Sequence, residues 1–225
     1  MSHQQNYETM EVVRHHLFYR LCHWGIVSTG LIIGWTGLRL GNLYGISWPS
    51  MQTALKIHVY LGFIFGTLWV LLFAYVVKHE WEWFSPRRFP YSIKFFIKEI
   101  LAWTGIGPHI EDPRGVDPEG RYVEKLVPTE VQVLWMYLLM AAIMGITGFT
   151  LYYQFAPIIN WANQIAPAFG LSSGIMLIRA IHRLFMYLFL MTMLIHAYAV
   201  TIFDVVGSMV TGKRRERVVR TRRRH

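Results

Sequence analysis

Four stretches of the chain, near residues 21–38, 57–77, 131–153 and 175–206, are apolar with few interruptions, and each meets the length of about 18 residues that a helix needs to cross a hydrocarbon core. Polar positions gather between them into connections of unequal length. The first, Arg39 to Lys56, is short and holds Asn42, Gly45, Trp48 and Pro49, so the first two helices are expected to be antiparallel neighbours. The second, about residues 78–130, is long. In it Trp81, Trp83 and Phe84 read as an interfacial belt, and Ser85-Pro86-Arg87-Arg88 turns the chain away. Tyr91 to Trp103 mixes basic and apolar residues at the helical spacing of a segment lying in the interface plane. Gly105 to Pro128 reads as loop, and the third connection, Gln154 to Ser173, carries Pro157, Trp161 and Pro167 among few charges. The pattern predicts an all-α, integral membrane four-helix bundle, a single membrane domain over residues 1–225, with a basic tail over about 207–225.

Composition strengthens this expectation: 54% of the residues are hydrophobic and only 16% charged, outside the habits of a water-soluble domain. The first twenty residues are polar or mixed, so no cleavable signal peptide is expected. A net charge of +9 raises nucleic acid as a partner, but 18 of the 22 Lys and Arg fall before the first helix, in the long connection or in the tail. That alternation follows the positive-inside rule: both termini and the long connection are expected in the cytoplasm, in a multi-pass protein of the cell membrane, and no nucleic acid is expected. Cys22 is the only cysteine, which excludes intrachain disulfides, and no C-x-x-C-H segment exists for covalent haem attachment.

Ionisable side chains inside membrane helices are costly and point to function. Of ten histidines, His23, His58, His182 and His196 fall in the apolar spans. His182 and His196 are 14 residues apart, which is about 40° short of four turns and about 21 Å of rise, so one helix face presents imidazole at two depths. Entering from opposite sides, helices one and two place His23 at the depth of His196 and His58 at that of His182. Two axial imidazoles per haem iron leave no open coordination position, which suits electron transfer. A lone membrane histidine is more often a packing residue; four at matched depths favour ligation. His15, His16, His79 and His109 read as solvated or interfacial. Gly25, Gly30, Gly34, Gly62, Gly66, Gly145 and Gly148 would admit a flat ring or a neighbouring helix equally. Arg20 and Arg183, and less so Lys56 and Arg179, lie where haem propionates would pair. Asp204 is the sole acid in the four spans, which argues against a di-metal site and against a proton channel or transporter. A haem-free membrane anchor or adaptor remains the other reading of the same residues.

The segment Arg20-Leu21-Cys22-His23-Trp24, His58, His182, His196-Ala197-Tyr198 and the closing Gly207-Ser208-Met209-Val210-Thr211-Gly212-Lys213 resemble the di-haem cytochrome b subunits of respiratory nickel–iron hydrogenases and formate dehydrogenases, over nearly the whole chain. The resemblance implies two haems b, liganded by His23, His58, His182 and His196. An iron–sulfur subunit and a catalytic subunit of the complex would feed electrons to the outer haem, and a menaquinone-type acceptor would be reduced near the inner one. Substrate oxidation would belong to the partner subunit, and a higher oligomer of the complex is left open. It places the quinone near His196, with Tyr198 beside it, and near a segment that often reads Asn-x-x-Gln. Here that segment is Thr129-Glu130-Val131-Gln132, so Gln132 matches and Thr129 departs. Glu130, His109 or Tyr198 would relay protons from the cytoplasm.

Overall fold

The computed structural model describes residues 8–108, 110–202 and 205–219; His109, Asp204 and Arg220, Arg222, Arg223 and Arg224 of the expected tail lie outside them. In chain order the elements are β1 (Thr9–Val13), α1 (Leu17–Leu40), α2 (Met51–His79), α3 (Trp81–Phe84), a 3-10 turn (Pro86–Arg88) and α4 (Phe89–Trp103). Then follow β2 (Gly115–Val116), β3 (Tyr122–Glu124), α5 (Thr129–Tyr153), α6 (Ala156–Ile165), a second 3-10 turn (Ala166–Phe169), α7 (Gly174–Ile202), α8 (Val206–Thr211) and β4 (Lys213–Arg217).

Helices α1, α2, α5 and α7 are long and apolar enough to cross a membrane. A chain in hydrocarbon must pair every backbone N–H and C=O within its own segment, which leaves the helix as the form such runs take. The helices α1, α2 and α5 outrun the apolar stretches. At the start of α2 the Ser50 hydroxyl accepts from the Thr53 N–H at 3.2 Å, an N-cap. Gln154, just past α5, takes φ 53°, the left-handed turn that stops a helix.

The chain divides into two compact units. One comprises Met1–Arg20, Ala74–Met136 and Phe203–His225; the other comprises Leu21–Phe73 and Tyr137–Ile202.

In the first unit the expected basic tail is not simply a tail. Beyond α8, β4 pairs antiparallel with β1, from Thr9 opposite Arg217 to Val13 opposite Lys213. Just past β1, Arg14 is fully buried; its Nη1 donates to the Lys125 carbonyl at 2.8 Å and to Glu216 Oε1 at 2.9 Å, and its Nη2 lies 3.6 Å from Glu130. Lys125 in turn donates to both carboxylate oxygens of Glu80 at 2.6 Å. The segment expected as loop contains the β2–β3 hairpin, whose Asp117 side chain accepts from the N–H groups of Glu119 and Arg121 at 3.0 and 2.8 Å. This local bonding supplies the backbone with partners that the sequence pattern did not reveal.

Helix α4 turns its polar residues inward: Ser92 and Glu99 are buried, while Ile93, Phe96, Ile97 and Ile100 are exposed, as in a segment seated among lipid. Gln132 Nε2 donates to Ser92 Oγ at 2.7 Å. Burial raises the Glu99 carboxyl above the usual range against an opposing hydrogen bond from Thr129. A group that binds its proton more tightly when folded stabilises the fold fully below its unfolded pKa, and that contribution is lost as pH rises through the folded pKa. Glu99→Gln is therefore expected to flatten the decline in thermal stability on the alkaline side of the ordinary carboxylate range. Identical pH profiles for the variant and the parent protein would show that this carboxyl does not titrate as its burial dictates.

In the second unit α6 packs on α7 through buried Ala162, Ala166, Leu177 and Ile178. Gly174 makes this approach feasible, since a Cβ there would sit 2.5 Å from the Ile159 carbonyl oxygen, and its N–H donates to Asn163 Oδ1 at 2.6 Å. Leu31, Phe63, Val70, Leu139, Leu194 and Ile195 are exposed, an apolar surface suited to lipid tails.

Candidate functional site

The four membrane histidines all belong to the second unit, His23 on α1, His58 on α2, His182 and His196 on α7. They come together as two pairs. The ring centres of His23 and His196 are 6.4 Å apart with planes inclined by 56°, and those of His58 and His182 are 6.3 Å apart with planes inclined by 66°.

These separations are too long for direct hydrogen bonding between rings and match a shared metal. A metal–imidazole bond is about 2 Å long, and ring bonds of roughly 1.3–1.4 Å put the ring centre about 1.1 Å behind its nitrogen. Two imidazoles on opposite sides of one ion therefore have centres about 6 Å apart. Among the described residues no three of His, Cys, Asp or Glu gather into a metal-binding group. Each pair therefore suits an ion that brings its own equatorial ligands, as iron in a porphyrin does. The His23 Nδ1 atom is buried without a hydrogen-bond partner, unlike the Nδ1 atoms of His58 and His182.

The surroundings of the His58–His182 pair are built from the same two residue types on two helices. On α1, the Thr36 hydroxyl lies 3.1 Å from His58 Nδ1, and a Cβ on the next residue, Gly37, would approach the His58 ring to 3.3 Å. On α5, the Thr147 hydroxyl lies 2.8 Å from His182 Nδ1, and a Cβ on Gly148 would approach the His182 ring to 3.3 Å. These glycines leave each ring room to stand beside the neighbouring helix. The other glycines divide: Gly25 and Gly30 admit Leu68 and Phe65 from α2, Gly34 admits Leu190 from α7, and Gly62, Gly66 and Gly145 face open space.

Between the two histidine levels of α7, at its midpoint, Phe189 stands in a cluster with Phe65, Trp69 and Tyr137; the Tyr137–Phe189 ring centres are 5.1 Å apart and Tyr137 meets His196 at 6.1 Å. A layer of packed aromatic rings thus separates the two pairs.

The remaining candidates are placed less tightly. Arg20 donates through Nη1 to the Val210 carbonyl, and its Nε is buried without a hydrogen-bond partner, so this guanidinium keeps a spare donor. Arg183 and Tyr198 are exposed on α7, as is Lys56 on α2. Thr129 and Gln132 open α5 within the first unit, with Gln132 engaged by Ser92. Glu130 faces Arg14 and accepts from the Val127 N–H at 3.3 Å. His109 lies outside the described residues.

Reasoning from the sequence passed over Thr36, Thr147, Gly37, Ser92 and Glu99. A Thr-Gly dipeptide in a membrane helix was the available signal, yet Thr29-Gly30 carries it too and there the hydroxyl bonds only its own helix, to the Gly25 and Ile26 carbonyls. The dipeptide alone therefore does not single out the two that meet histidine.

The family model described as prokaryotic cytochrome b561 matches residues 14–212, a span that includes both histidine pairs, the two Thr-Gly dipeptides that meet histidine and α8. No curated protein matches the chain.

Proposed function

Because this chain belongs to the prokaryotic cytochrome b561 family and is a multi-pass membrane cytochrome of the b type, we propose that it binds two haems and carries electrons across the bilayer to a quinone. One haem would sit between His23 and His196 and the other between His58 and His182. The observation that carries this reading is the pair of imidazole separations, 6.4 and 6.3 Å, each the span of one iron between two ring nitrogens. When bound, a haem with two imidazole ligands supplies one-electron exchange at an iron closed to oxygen.

The protein's own residues supply the rest. The four imidazoles orient the groups, the lipid-facing apolar surface keeps water out, and the aromatic layer around Phe189 keeps the two levels apart in a dry interior. Arg20, through its spare Nε donor, and Arg183 offer positive charge to propionates. The distribution of Lys and Arg supports cytoplasmic termini, so that the His58–His182 level lies outward. Electrons would then enter there from the iron–sulfur subunit of a hydrogenase complex, or of a formate dehydrogenase, whose catalytic subunit oxidises the primary substrate.

The resemblance assigns quinone contacts to His196, Tyr198, Thr129 and Gln132. Within the first unit, Glu99 and Ser92 enlarge the polar group around Thr129 and Gln132, and a carboxyl whose hold on its proton is strengthened by burial is suited to passing protons on during quinone reduction.

Purified chain is expected to show a reduced b-type spectrum with two haems per polypeptide, and the complex in vesicles to generate a membrane potential while reducing quinone. A chain without haem would return the anchor reading; quinone reduction that leaves the membrane uncharged would remove the transmembrane direction.

A further inference from the structure

We infer that Thr36 and Thr147 are positioning residues that fix the tautomer and the basicity of His58 and His182, and so lower the reduction potential of the haem held there. The inference rests on the proposal that this pair ligates haem iron.

A threonine hydroxyl has one proton to donate and lone pairs to accept with. Thr36 Oγ1 lies 3.0 Å from the Ile32 carbonyl and 3.1 Å from that of Ile33, and Thr147 Oγ1 lies 2.6 Å from the Ile143 carbonyl. Carbonyl oxygens only accept, so each hydroxyl proton is directed back into its own helix. What the oxygen then offers the imidazole is a lone pair, and the group facing it must be Nδ1–H. With the proton on Nδ1, the lone pair of each ring resides on Nε2, free to bind iron.

The arrangement occurs twice, from helices α1 and α5, on the two members of one pair. Gly37 and Gly148, next in sequence, let each ring come close enough for the bond to form. An acceptor on the distal N–H makes an imidazole a stronger electron donor to its metal and holds the ring in one orientation. A more basic ligand favours the ferric over the ferrous state, which moves the potential down.

The test uses the full-length cytochrome in detergent, with the His58–His182 haem identified as the spectral component that disappears in His182→Ala. Redox titration of Thr36→Val and Thr147→Val is expected to raise the potential of that component so that its reduced-to-oxidised ratio at fixed potential grows about tenfold, or about 59 mV for one electron. The other component should stay in place. Thr36→Ser and Thr147→Ser keep the hydroxyl and should titrate like the parent protein, with unchanged low-spin ferric resonance signals. Where a Val variant sheds this haem, Thr→Ala removes the hydroxyl without branching, and haem retained only in the Ser form supports the seating of the ring by the hydroxyl. Val or Ala variants that keep both haems at the parent potentials overturn the inference, as do Ser variants shifted as far as Val. Absence of both haems from the parent chain would instead strike the reading beneath it.

Discussion

His182→Ala is expected to reduce the haem content from two per chain to one and to stop quinone reduction by the assembled complex. On the proposed assignment His182 is one of two ligands at its level, and its loss would leave His58 alone with an ion that no neighbouring side chain can complete among the described residues. Loss of an outer-shell partner at a metal site costs about 10–100-fold in affinity or activity; removal of the ligand itself should exceed about 100-fold. His196→Ala is the reciprocal case, expected to remove the His23 haem and leave the spectrum of the other. The two variants together should yield two different one-haem spectra whose sum reproduces the parent. Both variants retaining two haems with unaltered spectra would dismantle the assignment of all four ligands.

Arg14→Ala has the second largest expected effect, on stability. The guanidinium is fully buried, and it joins Glu216, the Lys125 carbonyl and Glu130. Removing it takes from the Glu216 carboxylate, itself 3% exposed, the closer of two cationic partners and leaves it Arg214 at 3.2 Å. Breaking a buried ion pair in this way costs about 3–5 kcal/mol. Thermal unfolding in detergent, or the rate of proteolysis at the N-terminal segment, should register that loss. Lys213→Ala supplies the contrast: its pair with Glu11 is 60% and 57% exposed, and such pairs contribute about 0–1 kcal/mol. Equal effects of the two substitutions would mean that the burial of Arg14 does not isolate its charge.

The long helices were legible because hydrocarbon leaves an apolar run no alternative conformation, and a run of about 20 residues announces itself. The matching of His23 with His196 and of His58 with His182 was legible as arithmetic, since the 14-residue interval translates into depth through the helical rise. The separation between the paired rings was not, because it depends on how closely α1, α2, α5 and α7 pack. Nor was the hydroxyl on each Nδ1: Thr36 and Thr147 look like any threonine bonding back to its own helix. Glu99 sat among Lys94 and Lys98 in a helix that read as a surface element, and only the packing reveals that its carboxyl faces inward. The basic tail misled for a different reason. Lys213 to Arg217 has the composition of an electrostatic anchor, and its strand identity comes from β1, a partner that no local pattern can disclose.

The ribbon pairs Thr9–Val13 with Lys213–Arg217, and the Arg14–Glu216 bond beside it joins residues 202 positions apart in sequence. During synthesis β1 therefore emerges long before β4, and its edge groups stay unpaired until β4 has been made. Chains that stop before β4 leave the edge of β1 bare and Arg14 without Glu216. The clasp can thus close only on a chain translated as far as β4.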